Sequence, residues 1–123
     1  LLTRGVEMGR LTTHVLDTAL GQPAAAVEVV LYRVNPELQE LARARTNQDG
    51  RLDQPILQGV DFVAGVYQLV FQAGSYFRSQ SADLVEPLFV DEVVLRFGIS
   101  QPDQHYHVPL LVSPFSYSTY RGS

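Results

Sequence analysis

His105-Tyr106-His107-Val108-Pro109-Leu110-Leu111-Val112-Ser113-Pro114-Phe115-Ser116-Tyr117-Ser118-Thr119-Tyr120-Arg121-Gly122-Ser123 gathers two histidines, an arginine and four aromatic side chains at the end of the chain, where most chains fray. Side-chain direction has a period of two along an extended segment. His105, His107, Pro109 and Leu111 therefore share one face, and Tyr106, Val108, Leu110 and Val112 the other. Proline fixes its own backbone angle and donates nothing to a ladder, so Ser113-Pro114 predicts a reversal, followed by an aromatic-rich final run from Phe115 to Arg121. The segment reads as two strands, with a tail that is built in.

The same reading extends towards the N-terminus. Gln101-Pro-Asp-Gln104 is a hairpin turn fed by a strand over Phe89 to Ile99, and Gly65 to Ala73 is the clearest strand, with Tyr67, Leu69 and Phe71 on one face. Between these two strands, Ser75 to Leu84 lacks glycine and proline and predicts one short helix with Ser75 as its N-cap. Leu52 to Ala64, broken by Pro55 and Gly59, reads as loop with a short strand. Asn47-Gln48-Asp49-Gly50 is a tight turn in which the glycine supplies the left-handed angle, so Arg51 emerges from a defined bend. Further strands are expected over Leu11 to Leu16, Val27 to Val34 and Glu37 to Arg45. Seven or eight short strands separated by turns, with one short helix, predict an all-β fold, an antiparallel sandwich. The runs are too closely spaced for repeated crossover helices, so a parallel sheet is not expected.

At 123 residues the chain is expected to hold one domain over residues 10–123, with residues 1–9 a flexible leader outside the native structure. Leu1 to Glu7 lacks the basic-then-apolar order of a signal peptide and precedes Met8, the one methionine; a cytoplasmic location is expected. The composition, 46% hydrophobic and 18% charged, is that of a globular protein without a membrane-crossing run. A net charge of −4, with all nine basic residues arginines and scattered, argues against nucleic acid as a partner. The absence of cysteine excludes disulfides, thiolate metal sites and a cysteine nucleophile.

Three histidines, His14, His105 and His107, are the groups able to exchange a proton with water near neutral pH. A lone histidine is ordinarily a satisfied structural residue, and a lone loop arginine such as Arg51 is ordinarily solvated. His105-x-His107 together with His14 also has the makings of a three-imidazole zinc site, against which stands the neighbouring arginine that would repel a dication. No Gly-x-Ser-x-Gly elbow supports a serine nucleophile.

Three ordered motifs span nearly the whole chain from Arg10 onward: Leu11-Thr-Thr-His-Val-Leu-Asp-Thr18 with Gly21-Gln-Pro-Ala24, Thr46-Asn-Gln-Asp-Gly-Arg51, and the terminal His105-Tyr-His-Val-Pro-Leu-Leu with its Ser-Pro-aromatic-Ser-Tyr-Ser-Thr and Tyr-Arg-Gly-Ser segments. Together they resemble the 5-hydroxyisourate hydrolases, transthyretin-related enzymes of urate breakdown. The resemblance implies a transthyretin-like sandwich and a cofactor-free hydrolase without metal. It implies His14 and His107 as a catalytic pair with Arg51 as the site's cation, and Tyr120, Arg121 and Ser123 as substrate-binding residues, Ser123 bringing an α-carboxylate as well as a hydroxyl. It also implies a homotetramer with sites where dimers face each other. The alternative is a transthyretin-type small-ligand carrier, whose pattern lacks the His-x-His strand and the Tyr-Arg-Gly-Ser ending. His105 shares a face with His107, but the resemblance gives it no catalytic role.

Overall fold

The computed structural model describes residues 8–81 and 83–123. Residues 1–7 of the expected leader lie outside the described residues. Gly9 belongs to the packed chain: its N–H donates to the Pro102 carbonyl at 2.8 Å, and a Cβ there would collide with Phe62 and the Gln104 carbonyl.

Among the described residues, nine strands and one α-helix follow in order: β1 (Arg10–Asp17), β2 (Gln22–Pro23), β3 (Glu28–Val34), β4 (Leu38–Arg45), β5 (Leu57–Gln58), β6 (Gly65–Gln72), α1 (Ala73–Gln80), β7 (Glu92–Ile99), β8 (His105–Ser113) and β9 (Ser116–Thr119). A short 3-10 turn, Gly59–Asp61, follows β5. Seven strands have four residues or more and two have only two, which matches the expected sandwich. One sheet runs β2-β1-β8-β9, with β5 pairing the start of β1, and the other runs β4-β3-β6-β7.

Alternation builds the core between the sheets. On β1, Leu11, Thr13, Val15 and Asp17 are buried while Arg10, Thr12 and His14 face outward; on β8, Tyr106, Val108, Leu110 and Val112 point inward. Tyr67, Leu69 and Phe71 of β6 and Leu31 of β3 meet them from the opposite sheet, all fully buried. Each such large side chain contributes about 1.5–3 kcal/mol by leaving water. Asp17 is buried with every contact supplied. Its Oδ1 accepts the Ala19 and Leu20 N–H groups at 2.9 and 3.0 Å, and its Oδ2 accepts the Tyr76 hydroxyl at 2.7 Å. This ties β1 to α1, and burial beside the carboxylate pushes the Tyr76 phenol up to about 12.

Two local expectations shift. The helix starts at Ala73, directly off β6, rather than after a Ser75 cap, because the Gly74 N–H donates to the Asp91 carbonyl at 2.9 Å; a tertiary bond replaces the side-chain cap. The strand expected from Phe89 starts at Glu92. Parallel pairing was not expected anywhere, yet β1 and β8 run parallel over eight residue pairs, from Arg10 beside His105 to Asp17 beside Val112. A parallel pair needs a long return path. Here the return path is the whole opposite sheet rather than a crossover helix.

Candidate active site

The parallel register of β1 and β8 sets two outward faces side by side. Arg10 pairs with His105 and Thr12 with His107, while His14 lies opposite Pro109. An antiparallel register would reverse one of these rows and separate them. The turn at Asn47 to Gly50 then brings Arg51 onto the same face, in an isolated bridge with His14. The turn is held from within: Asn47 Oδ1 accepts the Asp49 and Arg51 N–H groups at 2.9 and 3.1 Å. It is also held from β1, where the Val15 N–H donates to the Gly50 carbonyl at 2.8 Å. Gly50 has φ +75°, and a Cβ there would strike the Val15 carbonyl, so glycine is required both by backbone angle and by close approach.

These residues border a cavity of 340 Å³ whose lining includes Arg10, Thr12, Arg51, His105, His107 and Ser123. His14 adjoins it through Arg51. The His14 Nε2 lies 2.8 Å from the Asp49 carbonyl. A carbonyl only accepts, so Nε2 carries a proton, and in the neutral ring Nδ1 is then the nitrogen with a free lone pair, the form a base requires. Burial holds the His107 imidazole below its ordinary value, reinforced by the positive charge of Arg51 and by His105 and His14. His105 is lowered too, by burial first and then by Arg10 and Arg121. Both rings are therefore neutral at neutral pH. Asp53, the acidic side chain of the lining, accepts the Asn47 amide at 3.0 Å.

The C-terminal segment divides. Gly122 exchanges both backbone hydrogen bonds with His107, at 2.7 and 3.1 Å, which delivers Ser123 to the cavity. Arg121 turns to the other side of the sheet: its guanidinium stacks 4.1 Å from the Tyr106 ring centroid, and its Nη2 donates to Gln104 Oε1 at 3.0 Å and to the His105 carbonyl at 3.3 Å. Tyr120 is 60% exposed and borders a separate cavity with Arg121. Of the six expected site residues, His14, Arg51, His107 and Ser123 come together within one chain, and Tyr120 and Arg121 do not join them.

Two neighbours of the site escaped the sequence reading. Thr12 places its hydroxyl 2.7 Å from His105 Nε2 and 2.8 Å from His107 Nδ1, and Arg10 stands beside His105. The period-two spacing from His14 back to Thr12 and Arg10 was the available signal. The same contacts argue against the three-imidazole metal arrangement, because two of its nitrogens are turned onto a hydroxyl; among the described residues no group of three or more His, Cys, Asp or Glu side chains is arranged to hold a metal ion. No described helix is long and apolar enough to cross a membrane.

Residues 11–122 match the profile of the HIUase/Transthyretin family. The chain is 62% identical over 117 residues to the 5-hydroxyisourate hydrolase of Pseudomonas aeruginosa, covering 94% of this chain and 93% of that one. Among solved structures it resembles the 5-hydroxyisourate hydrolase of Klebsiella pneumoniae, at 34% identity and a TM-score of 0.78 over 94% of this chain and all of that one. It also resembles sea bream transthyretin in complex with thyroxine, at 26% identity and a TM-score of 0.82 over 92% of this chain and 94% of that one. Shape alone does not separate hydrolase from carrier, whereas identity favours the hydrolases.

Proposed function

The chain belongs to the HIUase/Transthyretin family, and on that premise we propose that it hydrolyses 5-hydroxyisourate to 2-oxo-4-hydroxy-4-carboxy-5-ureidoimidazoline, a step of urate degradation. The observation that carries this reading is that Arg51 and His107 line one cavity of small-molecule size with His14 bridged to Arg51 beside it, the three drawn from distant segments.

The chemistry follows from the geometry. His14 Nδ1 takes a proton from water as the oxygen attacks the C6 carbonyl of the substrate ring. Arg51, bridged to His14 through the backbone, offers a planar fork of donors to the negative charge that develops on the carbonyl oxygen. His107 Nε2–H donates a proton to the leaving ring nitrogen, which opens the ring and leaves a carboxylate on the product. Ser123 supplies a polar contact to the substrate. No metal or cofactor takes part in these steps.

Tyr120 and Arg121 enter the proposal through assembly. β7 and β9 each end a sheet with one unpaired edge, all four residues of β9 are exposed, and Phe115, Tyr117 and Tyr120 stand out from it. Exposed strand edges and aromatic patches mark association surfaces. We take the working form as a homotetramer in which Tyr120 lines a site shared between dimers, Arg121 holds the tail, and the compartment is the cytoplasm. Light scattering of the purified protein tests the assembly, and cell fractionation tests the compartment.

The deciding experiment follows the ultraviolet absorbance of freshly generated 5-hydroxyisourate. Acceleration of its decay by catalytic amounts of protein is expected. A carrier, the reading favoured by likeness to the thyroxine-bound structure, would protect the compound stoichiometrically and leave its decay unaccelerated.

A further inference from the structure

The general-acid step in this site contains a difficulty that the outward residues of β1 and β8 resolve. His107 is neutral, because burial and the Arg51 charge disfavour its protonated form. A neutral imidazole is a very poor acid: losing its remaining proton would leave an imidazolate. It can act as an acid only if its second nitrogen gains a proton while the first loses one.

We propose that Thr12 is a positioning residue that makes this exchange possible: its hydroxyl joins His105 to His107 in one hydrogen-bonded line, so that a proton taken up at His105 leaves from His107. This rests on the hydrolase reading above.

The geometry carries the inference. The Thr12 Oγ1 lies 2.7 Å from His105 Nε2 and 2.8 Å from His107 Nδ1, both short. A hydroxyl has one proton to give, so it donates to one ring and accepts from the other. The two tautomers are thereby locked together. In one arrangement His105 Nε2–H donates to Thr12, Thr12 donates to His107 Nδ1, and the proton of His107 sits on Nε2, as a general acid requires. In the other, every proton is shifted by one position and His107 Nε2 is bare. Among the described residues, no hydrogen bond occupies either outer nitrogen, His105 Nδ1 or His107 Nε2.

The proton count balances. As His107 Nε2–H passes to the leaving nitrogen, the Thr12 proton moves to His107 Nδ1, the His105 Nε2 proton moves to Thr12, and His105 Nδ1 takes one proton from water. Both rings end neutral. The proton that His14 removed from the attacking water returns to solvent. A turn of the Thr12 hydroxyl and one proton exchange at each ring restore the starting arrangement. The charged and titratable groups around this line are Arg10 and His14 on β1, Arg51 and Asp53 on the turn side, Arg121 behind His105, and the α-carboxylate of Ser123 at the cavity. Three of them are guanidinium groups, which disfavour any step that leaves a full positive charge on either ring, and the concerted shift avoids one.

The test joins a binding-independent readout to kinetics. Nitrogen-15 NMR of the histidines in the free protein reports each tautomer, and expected results are a single correlated pair in the wild type and a His107 tautomer mixture in Thr12→Val. In turnover, Thr12→Val loses about a hundredfold in kcat, the low side of what a general acid supplies, with KM little changed. Thr12→Ser recovers most of that loss. His105→Gln, which keeps a hydrogen bond to Thr12 but cannot relay a proton, falls as Thr12→Val does, and the double variant falls no further. An unchanged His107 tautomer in Thr12→Val, near wild-type kcat in either single variant, or losses that multiply in the double variant would overturn the relay. Should Thr12→Val not fold, the kcat of His105→Gln decides alone. Failure of the wild type to hydrolyse the substrate would sink the function reading instead, while the tautomer measurement would still report on the link.

Discussion

Arg51 and His14 face each other across an isolated antiparallel bridge between the start of the chain and a turn near its middle. Two neighbours make that pairing rigid: the Val15 N–H donates to the Gly50 carbonyl at 2.8 Å, and the Asn47 N–H donates to the Arg51 carbonyl at 2.7 Å. The guanidinium thus starts from a backbone held at both ends, which is what a pre-aimed donor fork requires. Lysine would keep the charge and lose the fork. Arg51→Lys should therefore lose nearly as much kcat/KM as Arg51→Ala, roughly 2–4 kcal/mol of transition-state stabilisation by analogy with removed oxyanion donors. Steady-state kinetics of the two variants decide it, and near wild-type turnover in Arg51→Lys would mean that charge alone matters.

Gly50 tests the scaffold beneath that arginine. Its left-handed angle costs an L-residue about 1–2 kcal/mol, and here a Cβ also meets the Val15 carbonyl, a backbone atom with little room to retreat. Gly50→Ala should lower the thermal midpoint by several degrees and reduce turnover through a displaced Arg51. Calorimetry and kinetics on one sample check both halves. A stable but inactive variant would locate the effect in the site, and a variant with unchanged midpoint and activity would show that the turn relaxes freely.

Most of the site was legible because its information is local. The glycine turn before Arg51 and the period-two rows of β1 and β8 can be read from neighbouring residues, and so can the inward set Tyr106, Val108, Leu110 and Val112. What could not be read is partner choice. Nothing near Thr12 announces that it lies against His107, because their pairing spans 95 positions and depends on a parallel register that the whole second sheet makes possible. The Ser75 cap failed for a related reason: the bond from Gly74 to Asp91 starts the helix earlier, and tertiary contact overrides local preference. Arg121 has the residue type for an anion contact, but the Tyr106 ring and Gln104 beside it decide where it points.

The histidines give a pH dependence of fixed sign. Both His105 and His107 titrate below the ordinary 6.5, His107 mainly through burial and then through Arg51. The unfolded chain therefore binds more protons than the folded one as pH falls through 6.5 towards the lowered values. The favourable term is fully present above 6.5 and is lost below it. Thermal midpoints should decline on acidification through that window. In Arg51→Gln, NMR titration should move His107 part of the way back up, since burial remains. A His107 that titrates at or above 6.5 in the wild type would contradict this account.

Activity is expected to survive exhaustive chelation. His105 Nε2 and His107 Nδ1 are both committed to Thr12, and Arg51 sits beside them. Loss of turnover with chelator and its return with zinc would restore the three-imidazole arrangement as the working site.

Removing Arg121, Gly122 and Ser123 should abolish turnover while leaving the sandwich folded. None of the three contributes to the core between the sheets. What they contribute is a clamp: two backbone bonds from Gly122 to His107, the Arg121 stack on Tyr106, and Ser123 at the cavity. Two hydrogen bonds of ordinary net strength amount to about 1–3 kcal/mol, enough to lower the thermal midpoint but not to unfold a core of this kind. The effect on chemistry should be larger, because the clamp fixes the backbone of His107, the residue proposed to donate the proton. Turnover, thermal midpoint and oligomer mass should be measured on the same truncated sample, since the tail leaves β9 at an exposed sheet edge and its loss can act through assembly. Full activity after truncation would show that the tail serves neither purpose. Lost activity with a smaller oligomer would make its role one of assembly, and lost activity in an intact oligomer is the outcome expected from the His107 clamp.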